Sequence, residues 1–339
     1  MKKIEKRLKS KCDGLSLMVT IMVPDENVPI KGIAQISHGM AEHRKRCFPF
    51  MQFLAENGYI TIINDHRGHG GSVKSQEDLG YFYDKTGNYI VEDLHQVTQY
   101  IKKEYPDLPV YLFGHSMGSL VVRCYLKQYD DEIDKLIVCG SPSKNHLAGV
   151  GIVLTKFIQI FKGDKHRSKL MQKLTFANVP RKSKKEKESL EQEKNSKNNA
   201  EKYQIETKKS QEERKINKES QVSWISSNQE NIEQYEKDNQ CGFIFTLNGF
   251  QNLYKLVQNT YSDKGWEKKN LSLPIFFIAG DKDPIIGNLS KWMSAYEFLQ
   301  NDIGYQNISH KLYKDKKHEL LNEDIKEKVY VDILNWIEE

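Results

Sequence analysis

The stretch FGHSMGS at residues 113–119 decides the fold, because it sets a Gly-x-Ser-x-Gly motif between two kinds of segment. Residues 108–113 are apolar and rich in aromatic and β-branched side chains, which predicts a strand. Residues 120–126 carry apolar side chains at helical spacing. A serine on a strand-to-helix turn has a strained backbone and an exposed hydroxyl, and the helix N-terminus favours negative charge nearby. The motif therefore predicts a nucleophile at Ser116, with a plain glycine-rich turn as the alternative.

Short apolar strands alternate with helices on both sides of this motif. The predicted strands are at 15–23, 31–37, 59–63, 108–113, 134–139, 273–279 and 307–313. The predicted helices are at 48–57, 88–105, 120–126, 248–258 and 289–300, with a last helix opening at 317–321. This alternation is typical of a parallel sheet covered by helices on both faces, which is an α/β fold.

The alternation stops between the strands at 134–139 and 273–279. Residues 147–161 are apolar nearly all round and too short to span a bilayer. They predict either a buried core helix or a lid helix that lines an apolar pocket, and we favour the lid because the regular order has stopped. Residues 181–221 are dense in Lys, Glu, Gln, Asn and Ser, which predicts a solvated, flexible insertion. This insertion explains the low mean hydropathy of −0.67.

Composition excludes several classes of protein. The formal charge is only +5 over 339 residues, which gives no support to nucleic-acid binding. The five cysteines are scattered without a Cys-x-x-Cys pair, which favours reduced thiols, with Cys124 and Cys139 in the core. Residues 1–10 are basic and no apolar segment follows them, so no signal peptide is expected. The expected location is cytoplasmic, and the sequence does not indicate an oligomeric state.

Two further loops offer the partners that a serine nucleophile needs, a base and an acid that orients the base. Asp283 follows the predicted strand at 273–279, and His318 follows the strand at 307–313. The order Ser, Asp, His is the one that a hydrolase with this turn requires. Asp281 competes for the acid role, but Asp283 lies further past the strand and is preferred. Activity should fall at acid pH as His318 protonates, with an apparent pKa of about 6–7.

An oxyanion intermediate needs two preorganised amides. Met117, directly after the nucleophile, supplies one, and Met40 in the loop after the strand at 31–37 is the candidate for the other. His38 is expected to shape this loop, and His115 to point away from the base position. The cluster of His66 with its neighbours lacks the spacing of a metal site, so neither a metal nor an organic cofactor is expected.

Six motifs together resemble the monoacylglycerol lipase and lysophospholipase group of α/β-hydrolases, in the serine aminopeptidase S33-like family. They are HGMAEH at 38–43, DHRGHGGS at 65–72, GHSMG at 114–118, DNQCGFIFT at 238–246, GDKDP at 280–284 and KHELLNE at 317–323. The resemblance implies an eight-stranded, mostly parallel sheet with a helical cap inserted after the sixth strand. It places the hydrolase core at 1–142 and 271–339 and the cap at 143–270, with the polar insertion at 181–221 inside the cap.

The resemblance also implies an activity. It supports Ser116, Asp283 and His318 as the catalytic triad, with an acyl-enzyme on Ser116 and hydrolysis of a monoacylglycerol or a lysophospholipid. The cap is also a candidate for transient contact with a membrane surface. Two rivals stay open. One is another acyl chemistry, that of a thioesterase, aminopeptidase or acyltransferase, and the other is a binding module without turnover.

Overall fold

A sheet of eight strands lies at the centre of the part of the protein that the structure describes. The structure is a computed structural model and describes residues 1–145, 147–177, 179 and 222–339. The strands are β1 Lys2–Lys9, β2 Ser16–Val23, β3 Gly32–Ser37, β4 Tyr59–Asn64, β5 Val110–His115, β6 Lys135–Cys139, β7 Ile275–Gly280 and β8 Ile308–Tyr313. Their order across the sheet is β1-β2-β4-β3-β5-β6-β7-β8. Strand β2 runs antiparallel to both of its neighbours, β1 and β4, and all the other neighbouring pairs are parallel.

Helices cover both faces of this sheet. Within the described residues they are α1 Phe48–Glu56, α2 Tyr89–Glu104, α3 Met117–Tyr129, α4 Ala148–Lys162, α5 Lys169–Thr175, α6 Gln229–Lys237, α7 Leu247–Thr260, α8 Leu289–Glu297 and α9 Lys326–Glu338. Alternate residues of a strand point to opposite faces, so β5 contributes Leu112 to one core and Phe113 to the other. The core around Phe113 is closed by α1 and α9, and the core around Leu112 by α2, α3 and α8. The predicted α/β architecture is confirmed.

The sequence analysis missed one strand, and one of its predictions about local structure is wrong. The structure has a strand that the sequence did not predict, β1, whose residues are mostly charged and exposed at the edge of the sheet. Charged edge strands lack the apolar alternation of inner strands, and their lysines discourage pairing with other chains. Residues 317–321 do not open the last helix. They form a loop that runs into a short turn at Leu320–Asn322, and α9 begins only at Lys326.

The chain between β6 and β7 contains α4 to α7, as predicted for a cap. Helix α4 lies along α7 so closely that a Cβ on Gly151 would be 2.8 Å from the ring of Tyr254. The buried-core interpretation of this helix is wrong, because its opposite side is apolar and exposed. The exposed side chains are Leu147, Val150, Val153, Phe157, Ile160 and Phe161, each between 59% and 77% exposed.

Other predictions for this region stay predictions. The polar insertion at 181–221 lies outside the described residues. The limits of the core, 1–142 and 271–339, and of the cap, 143–270, also remain predictions. Among the described residues, no helix combines the length and the apolar character that crossing a membrane would need.

Candidate active site

Ser116 occupies a sharp turn between β5 and α3. Its backbone angles are φ 54° and ψ −118°, a conformation that L-residues rarely adopt. Its amide donates a hydrogen bond of 2.9 Å to the carbonyl of Cys139, which anchors the turn to the neighbouring β6. Gly118 must lack a side chain, since a Cβ there would lie 2.1 Å from the carbonyl oxygen of Ser37. The strained turn is therefore held by close backbone contact with β3 and β6.

The structure brings His318 and Asp283 to this serine from the ends of two neighbouring strands. Asp283 follows β7 and His318 follows β8. The Nε2 atom of His318 is 2.8 Å from Ser116 Oγ, and its Nδ1 atom is 2.7 Å from Asp283 Oδ2. The other oxygen of Asp283 accepts a hydrogen bond of 2.8 Å from the amide of Ile285, which fixes the carboxylate. The three side chains thus form one continuous chain of hydrogen bonds.

The structure distinguishes between the two candidate acids. Asp281 Oδ1 accepts a hydrogen bond of 2.7 Å from the amide of Asp315, on an exposed turn. Asp283 and His318 are both buried, at 2% and 4% exposure. Gly140, at the end of β6, lies beside them, and a Cβ there would be 3.3 Å from both Asp283 Oδ2 and His318 Nδ1. The carboxylate that contacts the histidine is therefore the one preferred from the sequence.

The charge of His318 depends on its carboxylate neighbours. Burial alone would lower its pKa, but the Asp283 carboxylate, with help from Glu319 and Glu42, outweighs burial and raises the pKa of His318 above its ordinary value. The ring is therefore well suited to accept a proton. A positive charge that forms on it meets a negative partner at 2.7 Å.

The two amides predicted for the oxyanion lie on the flanking segments. Met117 is the first residue of α3, and Met40 follows Gly39, whose missing Cβ would lie 3.1 Å from the Cβ of Ser116. Within the described part of the chain, neither the Met40 nor the Met117 amide donates a hydrogen bond to the protein. Both amides are therefore free to bind a ligand oxygen.

The rings of two histidines near this loop contact backbone groups. His38 Nε2 accepts a hydrogen bond of 2.9 Å from the amide of His66, and its Nδ1 contacts the carbonyl of Gly39 at 2.9 Å. His69 Nε2 accepts one of 3.3 Å from the amide of Ala41. Burial lowers the pKa of both His38 and His69 to about 3, so these rings stay neutral. The prediction that His38 shapes the loop is confirmed, and the lowered pKa of the buried His115 likewise makes it a poor base.

Sequence reasoning missed a buried cluster of charges beside the site. Arg46 pairs with Glu42 at 3.3 Å and also with Glu319. Glu42 accepts a hydrogen bond from the amide of Gly39, so the cluster links the loop of Met40 to the residue next to His318. Burial and the nearby Glu319 raise the pKa of Glu42 to about 7. The charged residues after HGMA, which include Glu42 and Arg46, were visible in the sequence, but their partner Glu319 is distant along the chain.

Aromatic side chains from the cap region approach the histidine. The ring of Trp224 lies 5.3 Å from that of His318, and Phe176 lies 5.7 Å from Trp224. The amide of Glu319 donates a hydrogen bond of 2.7 Å to the carbonyl of Ile225. The segment after the polar insertion is therefore attached directly to the loop that carries His318.

Comparison with known proteins identifies the family. The family model described as serine aminopeptidase, S33, matches residues 28–325. The chain belongs to this family. The resemblance noted in the motifs is confirmed, since the sequence relatives of this chain include proteins named monoacylglycerol lipase and probable lysophospholipase L2.

The sequence relatives match only parts of their own lengths. A monoacylglycerol lipase of Mycolicibacterium smegmatis is 29% identical over 150 residues, which cover 43% of this chain and 50% of the relative. The rat monoglyceride lipase is 34% identical over 91 residues, or 27% of this chain and 28% of the relative. A probable lysophospholipase L2 of Haemophilus influenzae is 24% identical over 109 residues, which cover 32% of this chain and 34% of the relative. The chain thus spans half or less of the length of these curated relatives.

Solved structures share the fold over the whole chain. A thermostable carboxyl esterase of Bacillus coagulans in complex with glycerol has a TM-score of 0.79 at 23% identity, covering 100% of this chain and 98% of its own. A soluble variant of the monoglyceride lipase of Saccharomyces cerevisiae with a substrate analog has a TM-score of 0.66 at 16% identity, covering 98% and 93%. These likenesses confirm the α/β-hydrolase fold.

Proposed function

We propose that the protein is a carboxylic ester hydrolase that transfers an acyl group to Ser116 and then to water. The observation that carries this proposal is the chain of hydrogen bonds from Ser116 Oγ through His318 to Asp283, with distances of 2.8 and 2.7 Å. A serine hydroxyl becomes nucleophilic when a positioned base takes its proton. The family and the fold are those in which such a constellation is expected.

In the first step, Ser116 Oγ attacks the ester carbonyl carbon while His318 Nε2 takes the hydroxyl proton. The carbonyl oxygen becomes an oxyanion, which the amides of Met40 and Met117 would stabilise. The intermediate collapses by breaking the bond to the alcohol, which leaves with the proton held by His318. The products are a free alcohol and an acyl ester on Ser116.

In the second step, a water molecule replaces the alcohol. His318 takes a proton from the water as its oxygen attacks the acyl carbon, and then returns that proton to Ser116 Oγ. The carboxylic acid leaves and the site is restored. Asp283 holds the imidazole in the orientation that both steps need and stabilises its positive charge.

The proposed substrate is a monoacyl lipid ester, either a monoacylglycerol or a lysophospholipid. Sequence relatives bear the names of enzymes for these two classes. Trp224 supplies aromatic surface next to His318, and Phe176 extends this surface behind Trp224, which suits an acyl chain more than a charged group. The head group that leaves as the alcohol is not defined by these contacts.

The exposed face of α4 is the proposed surface for contact with a membrane. Five of its apolar side chains, and that of Leu147 directly before it, are more than half exposed. Residues 144–175 also carry six lysines and one arginine but a single acid, Asp164. Apolar side chains flanked by positive charge favour the surface of an anionic bilayer. Such contact would bring the cap to the place where monoacyl lipids are dissolved.

Hydrolysis of p-nitrophenyl esters of graded acyl length tests the proposal, with Ser116→Ala as the variant. We expect the rate to rise from acetate toward medium or long chains and to vanish in the folded Ser116→Ala protein. A rate confined to acetate would remove the lipid substrate but keep the hydrolase. Activity that survives in Ser116→Ala would overturn the proposed nucleophile.

A further inference from the structure

Three metal-ligating side chains converge at a joint that the proposed reaction does not use. His43, Asp238 and Cys241 each offer one ligand atom, and these atoms lie within 4.8 Å of one another. His43 belongs to the loop after β3, whereas Asp238 and Cys241 belong to the segment between α6 and α7. The His43 ring and the Cys241 thiol are buried, while the Asp238 side chain is 34% exposed.

The ligand types select the kind of ion. An imidazole, a thiolate and a carboxylate together suit zinc, whereas calcium and magnesium prefer oxygen ligands alone. Zinc has no redox chemistry and accepts nitrogen, sulfur and oxygen ligands in one tetrahedral site. We propose that His43, Asp238 and Cys241 form a binding site for a divalent zinc ion, with water as the fourth ligand.

The spacing fits such an ion after a small movement. Bonds of about 2.0–2.3 Å to a tetrahedral zinc ion set its nitrogen, oxygen and sulfur ligands about 3.3–3.6 Å apart. His43 Nε2 and Asp238 Oδ2 are now in hydrogen-bond contact at 2.8 Å, so this pair would open slightly to admit the ion. Asp238 is the exposed member and lies at the end of α6, so it can make this movement.

Charge at the site can accommodate the ion. The positive charge of Arg46 acts on both Asp238 and Cys241 and would oppose a cation if Arg46 were unpaired. It is paired with both Glu42 and Glu319, which offset its charge. When zinc binds, the Cys241 thiol gives its proton to solvent and becomes a thiolate ligand. No oxidant or reductant is needed.

A zinc ion here would join two segments that already touch beside the oxyanion loop. The Gly242 amide donates a hydrogen bond of 2.9 Å to the carbonyl of Ala41, and the Tyr235 hydroxyl donates one of 3.0 Å to the same oxygen. Ala41 follows Met40 directly. The ion would therefore restrain the loop of Met40 against the cap, and this restraint does not depend on the proposed hydrolysis.

Cobalt binding to the full-length protein, first freed of metal with a chelator, tests the site. Thiolate ligation of Co²⁺ gives a near-ultraviolet charge-transfer band, which reports on cysteine directly. We expect the band to saturate at one equivalent of Co²⁺ and to disappear when Zn²⁺ is added. It should be absent in Cys241→Ser and retained in Cys12→Ser, a matched change at a cysteine outside the cluster.

Asp238→Asn provides a second variant at an exposed position, which is compatible with folding even if Cys241→Ser is not. We expect it to weaken Co²⁺ and Zn²⁺ binding about 100-fold or more, because loss of a direct ligand exceeds the 10–100-fold effect of losing an outer contact. The proposal is overturned if the native protein shows no band with stoichiometric Co²⁺. It is also overturned if the band persists in Cys241→Ser, or if Asp238→Asn binds both ions as tightly as the native protein.

Discussion

Replacement of Asp283 by asparagine should stop turnover while leaving the shape of the site nearly unchanged. Asp283 Oδ2 now accepts the Nδ1 hydrogen of His318 at 2.7 Å, and Oδ1 accepts the Ile285 amide at 2.8 Å. If the asparagine oxygen stays on Ile285, its NH₂ group faces His318 Nδ1. The ring must then carry its hydrogen on Nε2, where it can no longer accept the Ser116 proton. If the asparagine side chain is flipped instead, its NH₂ group faces the Ile285 amide, and two hydrogen-bond donors oppose each other.

The size of the effect follows from charge. In the transition state, His318 is positive and Asp283 is negative, with the bonded atoms 2.7 Å apart. Coulomb's law with an effective dielectric constant of about 20 gives about 6 kcal/mol for that pair. A neutral amide forfeits most of this energy at the transition state. Since each 1.36 kcal/mol is about tenfold in rate, we expect kcat/KM to fall about 10⁴-fold.

The assay is kcat/KM for a p-nitrophenyl ester, with Asp281→Asn as the matched control. Asp281 lies in the same turn but bonds the Asp315 amide and not His318, so its variant should keep nearly native activity. Circular dichroism checks that both proteins are folded. A folded Asp283→Asn protein that keeps a tenth of native activity would refute the reasoning, and so would an equal loss in Asp281→Asn.

Three further outcomes are expected. Because the pKa of His318 is raised, the ring should take up its proton above the ordinary pH range of histidine. We therefore expect kcat/KM to be at its maximum at higher pH and to fall as the pH drops through the raised pKa. A profile that stays flat down to about pH 4 would contradict a histidine base. Gly118→Ala should lower the free energy of unfolding in urea by about 1–3 kcal/mol through overpacking, whereas Gly149→Ala, next to a flexible side chain, should not. Phe161→Ser should weaken binding to anionic vesicles about tenfold or more, as measured by flotation, because it removes ~1.5–3 kcal/mol of the free energy of transferring an apolar side chain out of water. Val331→Ser, which changes an exposed apolar residue outside α4, should have no effect. Equal losses in the two variants would exclude α4 as the contact.

Much of the core could be predicted because its signals are local. Each inner strand is a short apolar run that ends in a turn, and the site residues stand where those runs end. Parallel strands carry their loops to one edge, so the order of Ser116, Asp283 and His318 along the chain sufficed to group them. The structure brings these three together without any change of assignment.

What escaped prediction depends on contacts between distant residues. Glu42, Arg46 and Glu319 look like ordinary surface charges until β3 and β8 bring them together below the surface. The edge strand Lys2–Lys9 was missed because its charged side chains are exposed at the edge of the sheet and do not show the apolar pattern of a strand that packs in a core. The sequence left open whether the apolar segment of α4 is a core helix or a lid helix, because only the structure shows that α7 covers one side of it and leaves the other side exposed.

The junction between β6 and β7 shows why the sheet can accept different inserted segments. These two strands are hydrogen-bonded neighbours, yet the chain leaves the sheet after Cys139 and returns only at Ile275. For a flexible chain, closing a connection of that length costs only about 3 kcal/mol more than closing a five-residue turn, since the entropy grows with the logarithm of length. The sheet can therefore tolerate replacement of the whole interposed stretch. If the proposed hydrolysis is correct, a foreign segment joined after Cys139 and before Ile275 should change which ester is accepted while Ser116, Asp283 and His318 stay in place.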